Sequence, residues 1–297
     1  LAALYGSVII GWIAYERYQP KLLVQFNFTS FATPLVIAQA IILLITPPIA
    51  GKLGDKFRFK QGHRIPIITS GISFAGMVFM AVAFTLLSNP GEVFKWILPV
   101  LIIFWLIAMS IFTSPALSTL ELFTPLDKLP RAMAVLTIVA NLIYSVEPVI
   151  VDIIDALGAP VTFIAGGIVV VASGYALKKN SLSLFSLSDN KEGRPIASMK
   201  LDTQRSRYYY IFFLGVVLGV ATTVMFNLFP TTLPSHLQSV SFSSLQDGKL
   251  LVVYMLVLSA LLSWPVSNLI NKLGAERAFR ISVVGVVIAM PLIFMVD

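Results

Sequence analysis

The stretch that decides the fold runs from Pro47 to Pro66, PPIAGKLGDKFRFKQGHRIP, between two long apolar runs. Five of the chain's 21 basic residues fall in it, with Asp55 as its one acid and Gly51, Gly54 and Gly62 spaced among the cations. A short hairpin between two helices needs tight turns and close backbone approach, and glycine supplies both at least steric cost. An acid at a helix end accepts backbone N–H groups and offsets neighbouring cations. The segment therefore reads as a charged connection between two apolar helices, and the class of protein turns on what solvent those helices occupy.

Composition answers that. Of 297 residues, 57% are hydrophobic and 12% are charged, against about 25% charged in an ordinary soluble domain. So much apolar surface finds its solvent in a bilayer. There is no cysteine, which excludes disulfides and thiolate metal sites. Scanning for the roughly 20 mostly apolar residues that a spanning helix needs gives nine runs: 1–15, 31–50, 65–87, 96–120, 132–154, 160–177, 208–230, 250–270 and 279–296. IIFWLIAMSIF (102–112) and FIAGGIVVVASGYAL (163–177) do not alternate as barrel strands would. The fold class is an all-α membrane bundle. The ends, at Leu1 and Asp297, lie in or beside apolar runs and are expected to be cuts in a longer protein.

Nine spans place alternate loops on opposite sides, and the cations sort accordingly. Loops 51–64, 124–131, 178–207 and 271–280 hold seventeen Lys and Arg, whereas the other side has Arg17, Lys21, Lys95 and Lys249. That asymmetry puts the basic loops in the cytoplasm. The net charge of +7 thus reports topology and a lipid-facing surface, with anionic lipid as a partner, rather than nucleic-acid binding. The expected organisation is a six-helix bundle over 1–177, a polar cytoplasmic linker over 178–207, and the first three helices of a second bundle over 208–297. A faint internal echo supports two halves: Trp264-Pro265 precede SNLINKLGAER as Pro47-Pro48 precede AGKLGDK, pairing Gly51 with Ser267 and Asp55 with Asn271.

The pattern PxxGxxxDxxxxxxGxRxP, from Pro48 through Gly51, Asp55, Gly62 and Arg64 to Pro66, resembles the loop between the second and third helices of the major facilitator superfamily. Its long form is similar to that of the glycoside–pentoside–hexuronide and sucrose-transporter-like carriers. It departs from the generic superfamily pattern at Arg58, where glycine is usual, and from the sugar carriers at His63, where they favour arginine. FTSPALSTLELFTP (112–125), with Pro115 and Glu121, resembles the end of the fourth helix of sucrose-transporter-like proteins, one residue shorter. The resemblance implies a bundle of about nine helices seen of twelve, alternating access, and a cytoplasmic gate motif made of Gly51, Asp55 and Arg64.

Carboxylates inside spans cost about 2.5–3.5 kcal/mol even on lenient insertion scales, which makes each a functional hypothesis. Glu121 shares a helical stripe with Ser110, Thr113 and Ser114, and Glu147 stands before Pro148 beside a stripe of Asn141, Tyr144, Ser145 and Asp152. A carboxyl that passes between dry and wet surroundings takes up and releases a proton. Glu147, Glu121 and Asp152 are accordingly the proton-coupling candidates. The alternatives are an interfacial Glu121 paired with Arg131 or the gate loop, and a solvated Asp152. Gln39, Ser114, Asn141, Tyr144, Asn227 and Trp264, with Tyr5 and Trp12, offer hydrogen bonds or flat faces to a polar solute, and Glu16-Arg17 reads as an interfacial pair. With two histidines and no HExxH spacing, no metal site, cofactor or catalytic constellation is read. The expectation is a monomeric, multi-pass carrier of the plasma membrane that moves a sugar-like solute by proton symport. A drug or amphiphile exporter of the same fold and a non-transporting scaffold are the rivals.

Overall fold

A computed structural model of the chain describes residues 1–88, 96–125 and 127–192, isolated positions 209, 213, 216 and 217, and residues 248–293. The chain divides into two compact units, Leu1–Gly193 and Arg194–Asp297. In the first, α1 (Ala2–Gln25), α2 (Ala32–Gln61), α3 (Ile65–Leu87), α4 (Ile97–Ser118), the short α5 (Leu120–Phe123), α6 (Leu129–Ser145), α7 (Glu147–Leu157) and α8 (Ala159–Glu192) follow in order. In the second, α9 (Gly248–Leu273) and α10 (Ala275–Ile293) are described.

Among the described residues, α2, α3, α4, α8 and α9 are each long and apolar enough to cross a membrane, and α6 with α7 makes a sixth span bent by 59°. The first span is α1, 24 residues long, made less apolar by Glu16, Arg17 and Lys21 in its second half. The run at 208–230, read as the seventh span, lies almost wholly outside the described residues.

Helix α3 is the centre of the first unit, packed between α4 and α8, while α1 lies on α6 and α8 and α2 lies on α4. The core holds Ile68 and Phe79 of α3, Trp105 and Phe112 of α4, Leu4 and Ile13 of α1, and Val170 of α8. Small residues bring these helices together: a Cβ built on Gly71 would stand 2.8 Å from the Phe112 Cβ, and one on Gly167 would stand 2.9 Å from the Phe79 Cβ. Lipid offers little hydrophobic drive between helices, so such close backbone approach and the dispersion contacts it permits do the holding. The hydroxyls follow the same logic. Ser110, Thr113 and Ser145 each bond back to a carbonyl of their own helix, those of Leu106, Met109 and Leu142, and Ser7 and Ser173 bridge α1 to α8 at 3.1 Å.

Three readings of the sequence change. The stretch 51–64 is no loop: α2 continues to Gln61, and only Gly62, at φ +76°, makes the turn into α3. Nothing between Pro48 and Gly62 forbids a helix, so the apolar run ends before the helix does. Likewise α8 continues to Glu192, into the stretch assigned to the linker, because the first helix-breaking residues after Gly174 are Gly193 and Pro195. The fifth span is broken at Val146, immediately before Glu147-Pro148, because proline at the second position of α7 withholds its N–H from the preceding turn.

In the second unit α9 also closes on a left-handed glycine, Gly274 at φ +83°. Counted from the paired residues, the turn comes three positions after Asn271 but seven after Asp55, a difference of four. Past the paired residue, α2 thus runs one helical turn further than α9 does before its turn.

Candidate functional site

Two polar clusters mark the ends of the first unit and a third lies between them. At the basic end Arg64, only 8% exposed, stands at the start of α3. Its Nε and Nη2 donate to Asp55 Oδ1 at 3.2 and 2.7 Å, and its Nη1 donates to the Ser118 carbonyl at 3.1 Å. Ser118 is the last residue of α4, so the guanidinium satisfies an orphan carbonyl at the negative end of that helix. Gly54 makes room for it: a Cβ there would meet the Arg64 Cδ at 3.3 Å, whereas nothing lies within 4 Å of a Cβ on Gly51. The three glycines of the stretch thus differ, with Gly62 as turn and Gly54 as clearance, while the packing of this unit places no demand on Gly51.

Removing Arg64 strands the α4 carbonyl and leaves Asp55 without its cation. Arg64→Ala is expected to cost about 1.5–3 kcal/mol, the range for hydrogen bonds to charged groups, read as a lowered thermal midpoint of the full chain in detergent. Arg64→Lys restores little of it, because an ammonium cannot reproduce the forked contacts.

At the opposite end Asp155 of α7 accepts from Arg17 Nε at 3.1 Å and from Lys21 Nζ at 2.8 Å, and Arg17 Nη2 meets its other oxygen. Arg17, read as the partner of Glu16, pairs across the bundle instead. Asp152 lies within electrostatic reach of Arg17.

Between the two ends a group of polar side chains gathers on α1, α2, α6 and α7. Tyr15 donates to Gln39 Oε1 at 3.2 Å and stacks on Trp105 with centroids 4.6 Å apart. Glu16 lies within electrostatic reach of Tyr15, Tyr144 and Glu147, and Tyr144 also feels Tyr5. Of the residues singled out in the sequence, Gln39, Tyr5, Tyr144 and Glu147 share this neighbourhood. Asn141 lies one turn before Tyr144 on α6. Glu16 was missed as a member. Its signal was present, since Tyr5, Trp12 and Glu16 fall at i, i+7 and i+11 on one helical stripe.

Other candidates separate from it. The bend at Val146 interrupts the stripe that ran from Asn141 to Asp152. The α4 stripe stops at Ser118, with Glu121 carried on the separate α5. Ser110 is buried in the core, Ser114 is half-buried on α4, and Thr113 borders a small apolar pocket with Tyr5 and Leu117. Trp264 is about half exposed on α9 in the second unit, and Asn227 lies outside the described residues.

The arrangement is that of a membrane bundle with a charged clasp at each end and carboxylates between. The family model for the Major Facilitator Superfamily matches residues 1–297. The chain belongs to the major facilitator superfamily. It is thus a multi-pass integral membrane protein of a family of transporters that bind small-molecule substrates. No curated protein and no solved structure matches the chain.

Proposed function

We propose that this superfamily member is a proton-coupled carrier of a small polar solute, with a sugar as the first class to test, working by alternating access in the plasma membrane. The observation that carries the reading is the grouping of Glu16 and Glu147 with Tyr5, Tyr144 and Tyr15–Gln39, at a break in the fifth span. Carboxylates at membrane depth are costly and lie along ion or substrate paths. Broken spans near the midplane are where transporters build such sites. Phenol and amide groups on three helices supply the hydrogen bonds that a hydroxylated solute exchanges for water. In this reading the Arg64–Asp55 clasp belongs to the cytoplasmic gate and Glu147 is the coupling acid, with Glu16 its neighbour. Residues 1–177 and 208–297 belong to the two halves of the carrier.

A thermal-shift screen of the full-length protein against sugars, amino acids and amphiphiles tests the substrate class, because a ligand of the folded state raises the midpoint by mass action. A midpoint that rises with a sugar, followed by pH-gradient-driven uptake of that sugar into proteoliposomes, supports the reading. A response only to apolar cations or amphiphiles moves the assignment to an exporter.

A further inference from the structure

Helix α7, like α2, buries little of itself within the unit. Of its eleven residues only Ile154 is buried, although the helix closes the fifth span. It hangs between two joints. One is the 59° break at Val146. The other is Gly158, at φ 74° and ψ 161°, a backbone region that is essentially glycine's alone.

Ile150 and Val151 of α7 pack against the core, and the polar bonds that hold the helix are gathered at its far end. Tyr18 donates its hydroxyl to the Ile154 carbonyl at 2.6 Å, and Asp155 receives Arg17 through two nitrogens and Lys21 through one. These partners belong to α1, and Thr162 of α8 also donates to the Ile154 carbonyl, at 3.4 Å. The side chains of Arg17, Lys21 and Asp155 remain 39%, 47% and 34% exposed. Ion pairs that open to solvent bias a conformation without locking it. Glu147 is the first residue of α7, so any swing of the helix about its Val146 joint carries that carboxylate with it.

We propose that α7 is a hinged outer segment of the fifth span, latched to α1 by the Arg17–Asp155–Lys21 cluster, and that the latch positions Glu147 in the outward-closed state. Asp155 is then a positioning residue for transport, acting through α7 rather than by touching the solute. Its effect on transport rests on the carrier reading above; its effect on the position of α7 does not.

The test uses the full chain in nanodiscs with spin labels on Val24→Cys and Ile153→Cys, both exposed positions on α1 and α7, in a background without native cysteine. The intact latch is expected to give one narrow distance distribution. Asp155→Asn is expected to add a longer population, and Asp155→Glu, which keeps the charge, to return most of the narrow one. In proteoliposomes Asp155→Asn is expected to shift the KM for external solute by roughly two- to fivefold, the scale of an exposed ion pair, with a smaller change in kcat. If Asp155→Asn fails to insert, Arg17→Gln with Lys21→Gln removes the same bonds from α1 and is read by the same criteria. A distribution in these variants that superimposes on that of the wild type overturns the latch. A longer distance with unaltered uptake at every concentration overturns its role in transport. Absence of uptake by the wild type counts against the carrier reading, and the distances still decide the latch.

Discussion

Glu147→Gln is expected to reduce solute accumulation driven by a pH gradient to the level of empty proteoliposomes, while exchange of labelled for unlabelled solute persists. The amide keeps the volume of the carboxyl and most of its hydrogen-bonding capacity but can no longer exchange a charge for a proton. Insertion should survive the change, because removing a carboxylate from a span relieves a cost of about 2.5–3.5 kcal/mol rather than adding one. Glu16 lies within electrostatic reach of Glu147, so Glu16→Gln is expected to weaken coupling as well, whereas Asp152→Asn, further along α7 and within reach of Arg17, leaves it largely intact. If Glu147→Gln accumulates solute as the wild type does, the coupling acid lies elsewhere. If neither wild type nor variant takes up any solute, the scaffold reading gains.

The second large effect concerns the fold itself. Gly71→Leu is expected to destabilise the first unit by about 1–3 kcal/mol or more, the range for overpacking a filled core. The first added carbon would already stand 2.8 Å from the Phe112 Cβ and 3.2 Å from its backbone nitrogen, neither of which yields by a rotamer change. The α3–α4 contact at the centre of the unit must open. Gly51→Ala is the matched control. It lies in a helix with nothing within 4 Å, so alanine there is expected to gain roughly 0.5–1 kcal/mol from backbone entropy alone. Thermal midpoints of both variants in the same detergent check the pair. A gain in stability at Gly51 accompanied by lost transport would show that the motif glycine serves the carrier's cycle rather than the resting bundle.

Much of the architecture was legible because lipid leaves so few solutions. Every backbone polar group at membrane depth must bond within its own helix, so length and apolarity locate the spans, and the clustering of cations separates one end from the other. The contacts between ends agree with that sorting: Arg64 reaches the last carbonyl of α4, and Arg17 and Lys21 reach the end of α7. Helix ends were less legible. The continuation of α2 to Gln61 and of α8 to Glu192 lies in polar sequence, where apolar runs say nothing and only the first glycine or proline sets a limit.

The polar cluster was legible in part. Glu147 announced itself as a carboxylate inside a span before Pro148, Tyr144 as part of the stripe beside it, and Gln39 as a group able to hydrogen-bond a polar solute. Glu16 did not, because an adjacent Arg17 offered it a local partner, and only the fold shows Arg17 turned to Asp155. Asp152 and Glu121 were grouped with their neighbours by a helical period that the bend at Val146 and the end of α4 interrupt. Periodicity holds only while a helix is continuous.

The measurement that bears most directly on the whole account is the sidedness of the charged end of α2. Lys60→Cys and Asn27→Cys, introduced singly into a chain with no native cysteine, are treated with an impermeant maleimide on intact cells. The account predicts labelling at position 27 without permeabilisation and at position 60 only after it. Ready labelling at position 60 from outside would contradict the topology, the gate assignment and the outer latch together.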